Sequence, residues 1–526
     1  MSLATSIGTF LVDLFALDAP ATALAPLFAV LAEKELVGHN IVSFDLPFLA
    51  RLGFALARVF DTALASRVVY AGERADHDLA SVVKREMNRE LDKTEQAGEW
   101  SRPVLPRAQL EYAATDAAVL VPLADTLRTK AAARNLTAVL DLEMRCGVPV
   151  ARMAATGVGF DTGTWLALAD AAAERRVTLA TEMDALVPNP NCLPGLGAWN
   201  STTVDVPAAF EAVGIALPDT KEETLAGIAH PLARLLLEYR EAAKRAGTYG
   251  REWVAEHVTD GRVRASWNPC QAKTGRMSCK EPNLQQLPRN PRYRRCFTAR
   301  SGHVLVKCDF SQIELRIAAK VTGDAHAGGL SEGEDLHTLT AARFLGSQVD
   351  VVTKEARQMA KPVNFGAIYG LGPRSLRLKA QADYGKDMTE DQARGFLDAF
   401  FAQFPAVRAW HNRLKRDRAT EVRTLGGRRI GVEPDQFFGA KANYVVQGTG
   451  GDGLKRALAL LWECRDQCPN AEVVLAVHDE IVLEVPEPER EAAKTWLSGC
   501  MIDGMAPLID PVPVEVEVKV GATWAG

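Results

Sequence analysis

The alternation of apolar and polar positions predicts a buried strand that turns into a helix within VLVKCDFSQIELR, residues 304–316. Val304, Val306 and Cys308 share one face, with the period of two expected of a strand. The strand leads to Asp309, and the QIELR that follows has helical character. The sequence therefore predicts a carboxylate at the point where a strand becomes a helix.

A second apolar strand, VVLAV at residues 473–477, runs into His478, Asp479 and Glu480 and returns as IVLEV. This pattern predicts a hairpin with acidic residues at its tip. If the hairpin lies beside the first strand, Asp309 and Asp479 can hold Mg²⁺, whose protein ligands are oxygen atoms. A pair of such ions roughly 4 Å apart can activate an attacking hydroxyl and stabilise a leaving pyrophosphate.

The segment RQMAKPVNFGAIYG, residues 357–370, predicts a helix with one chemically distinct stripe. Arg357, Lys361, Phe365 and Tyr369 recur at every fourth position and so share one helical face. Two cations followed by two aromatic rings suit a triphosphate followed by a sugar and a base.

Composition restricts the possibilities without identifying the protein. The 526 residues are too many for one hydrophobic core, and the net charge of -5 leaves a nucleic acid only a local basic cleft. The nine cysteines contain no CxxC pair, which is typical of reduced core residues in a cytosolic protein. No apolar run approaches the roughly 20 residues of a membrane span. We expect a cytoplasmic protein with no membrane partner.

Each pattern taken singly has an ordinary explanation. An Asp at a strand end is more often a helix cap or a solvated turn, and an Arg/Lys stripe is usually a solvated helix face. In this order, however, the three patterns resemble the three motifs of family A DNA polymerases, the group of bacterial DNA polymerase I. The segment TGRMSCKEPNLQQLP, residues 274–288, matches a further signature of that family, and the resemblance covers essentially the whole chain.

The resemblance implies an α/β multidomain fold in the form of a right-hand polymerase, with an antiparallel palm sheet and a helical thumb and fingers. A partial RNase H-like 3′–5′ exonuclease domain is expected before it. The expected ranges are 1–130 for the exonuclease-like domain, 141–265 for the thumb, 266–330 and 451–526 for the palm, and 331–450 for the fingers.

The implied activity is that of a DNA-directed DNA polymerase, which adds dNTPs to a primer 3′ end by two-metal-ion nucleotidyl transfer in DNA replication or repair. Its implied partners are primer-template DNA and dNTPs, and its cofactor is a pair of Mg²⁺ ions. We expect a monomer associated with the nucleoid. The sequence leaves open a replicative or a repair role, a phage or a cellular origin, and the processivity factor.

The resemblance also assigns roles to individual residues. The metal ligands would be Asp309, Asp479 and the backbone carbonyl of Phe310, with Glu480 as an auxiliary acid. Lys361 would bind phosphate and protonate the departing pyrophosphate. The expected nucleotide contacts are His337, Arg357, Lys361, Phe365, Tyr369, Gln312 and Glu314, and the expected DNA contacts are Arg276, Asn283, Gln285, Arg428, Asn443, Gln447 and His478.

Two of these positions carry selectivity in the family. Glu314 resembles the residue beneath C2′ of the sugar, which leaves no room for a ribose hydroxyl and so excludes ribonucleotides. Phe365 stands where Phe, in place of Tyr, goes with rejection of dideoxynucleotides. A single-subunit RNA polymerase, the first alternative, should not carry Glu314 in QIELR. A nucleic-acid-binding remnant without chemistry is the second alternative, and the intact Asp309, Lys361 and Asp479 argue against it.

The exonuclease resemblance is incomplete. Asp45 matches the second acidic motif of that domain, and Tyr112 and Asp116 match the third. The first motif, Asp-x-Glu, has no counterpart upstream of Asp45, so two of the four carboxylates are missing. We therefore expect little or no proofreading. The family's 5′-nuclease domain also has no counterpart, so removal of flaps or RNA primers is not expected.

Overall fold

A computed structural model describes residues 1–55, 58–73, 75–187, 198–288, 290–323, 335–345, 348–385 and 387–526. The chain forms two compact units. The first unit comprises Met1–Gly157, Ala265–Gln285 and Ser301–Gly521, and the second comprises Val158–Arg264, Gln286–Arg300 and Ala522–Gly526. The domain ranges expected from the sequence remain predictions, and the expected boundary at residue 330 lies outside the described residues.

The N-terminal part of the first unit contains two small sheets surrounded by helices. Strands β1 (Ser2–Thr5) and β2 (Gly8–Leu11) pair antiparallel, and β3 (Leu36–Gly38) and β4 (Val59–Asp61) pair parallel. The helices are α1 (Pro20–Ala32), α2 (Asp45–Arg51), α3 (Thr62–Val69), α4 (Leu79–Met87), α5 (Arg107–Ala118) and α6 (Leu120–Ala133). Helices α5 and α6 are separate, because Pro122 in the first turn of α6 has no N–H to donate.

Helix α7 (Thr137–Thr156) joins this part to the rest of the first unit. It packs against α2 and β4, and its other side packs against elements from the C-terminal half of the chain. Two forked ion pairs lie on that other side: Arg145 Nε is 2.7 Å from Glu463, and Arg152 Nη2 is 2.6 Å from Glu472. The start of the predicted thumb, residues 141–157, therefore belongs to the first unit.

The second unit is mainly helical. Its helices are α8 (Thr162–Leu186), α9 (Asp205–Ala212), α10 (Glu222–Ala226), α11 (Pro231–Thr248), α12 (Arg251–His257) and α13 (Pro291–Arg294). Strands β5 (Val158–Phe160), β6 (Val258–Thr259), β7 (Arg262–Val263) and β10 (Phe297–Thr298) form one sheet in the order β10-β5-β7-β6. Helices α11 and α12 are separated at Gly250, which lies so close to the carbonyl of Ala246 that a Cβ would be 2.3 Å from it.

The remaining elements belong to the first unit. They are β8 (Ser266–Asn268), β9 (Ser278–Lys280), β11 (His303–Phe310), α14 (Ile313–Thr322), α15 (Leu336–Leu345), α16 (Lys354–Ile368), α17 (Pro373–Tyr384), α18 (Glu390–Gln403), α19 (Pro405–Arg416), β12 (Glu421–Arg423), β13 (Arg429–Gly431), α20 (Phe438–Glu463), β14 (Glu472–Val477), β15 (Glu480–Pro486), α21 (Arg490–Ile509) and β16 (Val516–Gly521).

The central sheet of the first unit confirms both strands and the hairpin predicted from the sequence. Its order is β14-β15-β11-β16, and all its neighbours are antiparallel. Val306, Cys308 and Ile481 are fully buried, and α21 packs against β11 and β15. Helix α20 packs along α21 and α7. The alternation of apolar residues thus determines which face of β11 is buried in the core. Asp309 lies near the C-terminal end of this strand.

Two further expectations concern the whole chain. The eight cysteines within the described residues form no disulfide, and seven of them are buried. Among the described helices, none is both long and apolar enough to cross a bilayer.

Candidate active site

The acidic residues meet at one end of the central sheet. A two-residue connection, His478 and Asp479, joins β14 to β15, and His478 has the left-handed φ of 59°. The register pairs Asp309 with Glu480, and the backbone N–H of Phe310 donates to the carbonyl of Asp479 at 3.2 Å. The two aspartates, which are 170 positions apart in the sequence, therefore lie beside each other as predicted.

Asp309 is in an environment that disfavours its charge. Burial raises the pKa of Asp309 to about 7, and the neighbouring charges of Asp479, Glu480 and Glu517 add to this increase. Lys307 opposes it and lies 3.5 Å from Glu480, from Nζ to Oε2. Glu517 was not identified from the sequence, although it pairs with Asp309 across β11 and β16. Its place in the alternating segment VEVEVKV could have indicated it only if that register were known.

Asp479 experiences similar forces. Burial raises the pKa of Asp479 to about 6; Arg276 lowers it, and Glu314 and Glu480 raise it. Several acids thus share a small, poorly hydrated region in which a cation would relieve their repulsion.

The donor set fits a magnesium site. Asp309 Oδ1 is buried and has no hydrogen-bond partner among the described residues, which leaves a strong acceptor for a cation. Among the described residues, no group of three His, Cys, Asp or Glu side chains is placed to hold a metal ion by itself. An open set of two carboxylates and a carbonyl suits Mg²⁺, which keeps several waters for substrate phosphates to replace. The side chain of Phe310 is buried in the core, so only its backbone could bind the ion.

Glu314 is held by donors from two different elements. Arg276 Nη2 is 3.3 Å from Glu314 Oε1, and the hydroxyl of Tyr369 donates to Oε2. Gln447 on α20 bonds to the same tyrosine. Burial, together with the Glu314 charge, raises the pKa of Tyr369 well above its usual value, so the phenol keeps its proton. The side chain proposed to exclude a ribose hydroxyl is therefore fixed in place.

Helix α16 carries the predicted cation and aromatic stripe. Arg357, Lys361 and Phe365 lie on this helix, and Tyr369 follows its last residue. Arg357 is paired with Asp335, with 3.2 Å between Nη2 and Oδ1. Asp335 was not identified from the sequence; its position directly before α15, where it also accepts from Thr338 N–H at 3.2 Å, could have indicated only a helix cap.

His337 differs from a simple phosphate-binding cation. Its side chain is only 3% exposed, and its Nδ1 lies 2.9 Å from the amide nitrogen of Asn364. Burial lowers the pKa of His337 to about 4; Asp335 opposes this shift, and Arg357 and Lys361 add to it. At neutral pH the imidazole therefore carries no charge, and its predicted role is restricted to that of a neutral partner.

The prediction that Arg428 contacts DNA is wrong. Its side chain is 1% exposed, and its Nη2 lies 2.5 Å from Glu143 and 2.7 Å from Asp452. Both partners are themselves fully enclosed. A guanidinium that two buried carboxylates hold on both sides is a structural cation, and no template strand can reach it.

The other predicted DNA contacts are accessible to different degrees. Asn283 and His478 are exposed, and Asn443 and Gln447 are half-buried on α20. Gln285 is half-buried and donates to the Met277 carbonyl at 3.3 Å. The predicted nucleotide contact Gln312 precedes α14 and has the left-handed φ of 52°. These roles remain predictions.

The exonuclease-like residues lie on two helices, α2 and α5. Asp45 is the first residue of α2, and burial raises its pKa to about 6, with a smaller contribution from Asp61. Tyr112 and Asp116 lie one turn apart on α5; burial raises the pKa of Asp116, and the nearby Tyr112 hydroxyl opposes this shift. Asp61 was not identified from the sequence, and it serves as a helix cap that accepts from Ala63 N–H at 2.9 Å.

Comparison with known sequences gives the same result along the whole chain. Residues 210–526 match DNA polymerase family A, and residues 1–132 match a 3′–5′ exonuclease family. DNA polymerase I of Aquifex aeolicus is 33% identical over 548 aligned positions, which cover 98% of this chain and 92% of that protein. The thermostable DNA polymerase I of Thermus aquaticus is 34% identical over 73% of this chain, which spans only 48% of that protein.

A solved structure supports the same assignment. The polymerase domain of Pol1 from M. smegmatis, in a complex with DNA primer-template and dNTP, superposes with a TM-score of 0.82. The match covers 98% of this chain and 90% of that domain, at 25% sequence identity. The paired aspartates, the sequence match over most of the chain and the shared fold lead to one conclusion: this chain belongs to DNA polymerase family A and is a DNA-directed DNA polymerase.

Proposed function

We propose that this polymerase extends primer 3′ ends with dNTPs by two-metal-ion nucleotidyl transfer at Asp309 and Asp479. The observation that carries the proposal is the adjacency of Asp309 and Asp479 at the end of the central sheet. There the Phe310 N–H donates to the Asp479 carbonyl, and Asp309 Oδ1 is buried with no hydrogen-bond partner among the described residues. The carbonyl of Phe310 would complete the donor set, and Glu480 would be an auxiliary acid beside it. Two Mg²⁺ ions bound there would activate the primer hydroxyl and stabilise the pyrophosphate.

The residues of α16 bind the triphosphate of the incoming nucleotide. Arg357 and Lys361 are one helical turn apart on the same face, so they can contact neighbouring phosphate groups. Lys361 would protonate the departing pyrophosphate, as a positioned ammonium can. Phe365 would pack on the deoxyribose, and Tyr369 would contact the nascent base pair.

Glu314 determines the choice of sugar. Arg276 and Tyr369 hold both of its carboxylate oxygens, so the side chain cannot move away from an incoming ribose. This rigidity favours dNTPs over NTPs. It also favours a DNA polymerase over the single-subunit RNA polymerase considered from the sequence.

Arg276 is the best-supported DNA contact. Its side chain is 23% exposed, and its Nη2 lies 3.3 Å from Glu314 Oε1. A donor in this position could read the minor-groove acceptors that correctly paired bases share. Like the complex formed by its M. smegmatis relative, this protein would bind a primer-template duplex and a dNTP together. We propose that it acts as a monomer, in the cytoplasm and associated with the nucleoid.

We further propose that the exonuclease-like segment does not proofread. Asp116 is engaged by Tyr112, and Asp61 caps α3. An exonuclease that needs two metals would require more carboxylates than Asp45 and Asp116 supply.

Primer extension tests the polymerase proposal. A primed DNA template is incubated with dNTPs or NTPs, with and without Mg²⁺, and Asp309→Asn and Asp479→Asn serve as comparisons. We expect Mg²⁺-dependent extension with dNTPs only, and its loss in both variants. Extension with NTPs alone would favour the RNA polymerase alternative, and binding without extension would favour the remnant.

A separate assay tests proofreading. A mispaired, end-labelled primer annealed to template is incubated with the protein and Mg²⁺ but without nucleotides. We expect the primer length to remain constant. Steady shortening that is lost in Asp116→Asn would overturn this part of the proposal and leave the polymerase assignment unaffected.

A further inference from the structure

Four charged side chains are buried together within the first unit. Glu143 on α7, Arg428 before β13, and Asp452 and Lys455 on α20 are each 0–1% exposed. Two of them are acidic and two are basic, so the group is neutral as a whole. Burying charges is unfavourable unless they are paired this closely.

The contacts join three separate parts of the first unit. Arg428 bridges Asp452 and Glu143, and Lys455 Nζ donates to Glu143 Oε1, the same oxygen that Arg428 contacts. Asp452 is also bonded by the hydroxyl of Thr424 at 2.6 Å. Removing either cation would leave a carboxylate buried without its full compensation.

Lys455 also contacts the backbone next to Arg276, the proposed DNA contact. Its Nζ donates to the backbone carbonyl of Gly275 at 2.5 Å, directly before Arg276. Gly275 has the left-handed φ of 79°, and a Cβ there would lie 2.5 Å from Cδ of Arg428. The ammonium of Lys455 and the side chain of Arg428 thus fix the peptide from which Arg276 extends.

Helix α20 also confines Arg276 directly. A Cβ added at Gly451 would lie 3.2 Å from Cγ of Arg276, so the helix backbone follows the stem of this side chain closely. Beyond that contact, the guanidinium reaches Glu314 and lies within electrostatic range of Asp479. The direction of Arg276 therefore depends on the buried charges as well as on Glu314.

We propose that Lys455 is a positioning residue for nucleotide addition: through the Gly275 carbonyl, and with Glu143 as its counter-charge, it orients Arg276 at the primer terminus. This inference rests on the proposed role of Arg276 in contacting the primer-template. Lys455 itself touches neither substrate nor metal. Its effect on the reaction passes entirely through the backbone at residue 275.

The test uses a variant that stays electrically neutral. Glu143→Gln combined with Lys455→Met removes one charge of each sign and leaves the Arg428–Asp452 pair in place. Lys441→Met is the matched control, because Lys441 is also buried on α20 and donates to a backbone carbonyl, that of Asp417 at 2.9 Å. The control loses a comparable bond without affecting residue 275.

The assay is single-nucleotide insertion, measured as kcat and KM for dNTP on matched and on mispaired primer ends. Each variant is measured alone and in combination with Arg276→Ala. We expect the double variant to lower kcat about tenfold or more on matched ends, since small displacements of a reacting group are costly. The mispaired rate should change less, and KM should change little. In the Arg276→Ala background the same double variant should have no further effect.

A second variant keeps the inference testable if the double variant does not fold. Gly275→Ala keeps all four charges and pushes the peptide away from Arg428, so it should show the same kcat loss and the same dependence on Arg276. The inference would be overturned if the kcat losses of these variants multiplied with the loss caused by Arg276→Ala. It would also be overturned if Lys441→Met lowered kcat equally. If the wild-type protein itself does not extend primers, the proposed function fails and this inference fails with it.

Discussion

The paired aspartates should make the active site a source of instability when no metal is present. Replacing Asp309 with Asn removes the charge and keeps nearly the same shape. The pKa of Asp309 is raised from 3.8 to about 7, chiefly by burial and then by Asp479. At about 1.4 kcal/mol for each pKa unit, ionising this carboxyl inside the fold costs at most about 4 kcal/mol.

The direction of the pH dependence follows from the raised pKa. Between pH 3.8 and about 7 the folded protein retains a proton that the unfolded chain has released. The free energy of unfolding of the wild type therefore falls as the pH rises through this window, and the contribution of this group is present in full only below it. Asp309→Asn lacks this contribution, so its stability advantage over the wild type should grow from pH 5 to pH 8.

Thermal unfolding in EDTA at several pH values measures the effect. At pH 8 the Asp309→Asn protein should unfold several degrees above the wild type and should be inactive in primer extension. Asp503→Asn, which alters an exposed carboxylate on α21, should unfold like the wild type. Added Mg²⁺ should raise the melting temperature of the wild type more than that of Asp309→Asn. Equal melting temperatures for wild type and Asp309→Asn at pH 8 without metal would refute the reasoning.

Three other outcomes can be measured directly. Glu314→Ala should raise ribonucleotide incorporation roughly tenfold or more, because it opens space beneath the sugar; a competition assay between dNTP and NTP checks it, and unchanged discrimination would contradict the sugar assignment. Phe365→Tyr should admit dideoxynucleotides, as the family resemblance implies, and this is read as chain termination on a sequencing gel; continued rejection would argue against the placement of Phe365. Gly72→Ala should lower the free energy of unfolding by on the order of 2 kcal/mol, since Gly72 has a φ of 81° and a Cβ there would lie 2.3 Å from the Gly431 carbonyl. Gly53→Ala, with a φ of 91° and open space around the added atom, should cost less in denaturant unfolding, and equal losses would contradict the packing argument.

The sequence predicted those parts of the site that depend only on residues close together in the chain. Alternation identified β11 and the hairpin, because a strand with one buried face must repeat every two residues. The four-residue spacing placed Arg357, Lys361 and Phe365 on one helix, which α16 confirms. In these segments the residues themselves determine both the element and the side chain that it presents.

The sequence patterns did not show which charged or polar side chains are buried. Arg428 lies in a Gly-Gly-Arg-Arg turn that looks solvent-exposed, yet its partners are 285 and 24 positions away in the chain. The same holds for His337, which Asn364 encloses from another helix. A sequence shows that such residues are charged or polar, but only the packing of distant elements decides whether water reaches them.

Helix α7 has a consequence for how this protein can change over time. Its residues are buried towards the exonuclease-like elements on one side and towards the polymerase sheet on the other, so both halves share a single hydrophobic interior. The buried apolar residues of α7 are constrained from both sides, because a cavity opened among them would weaken packing against the polymerase sheet as well.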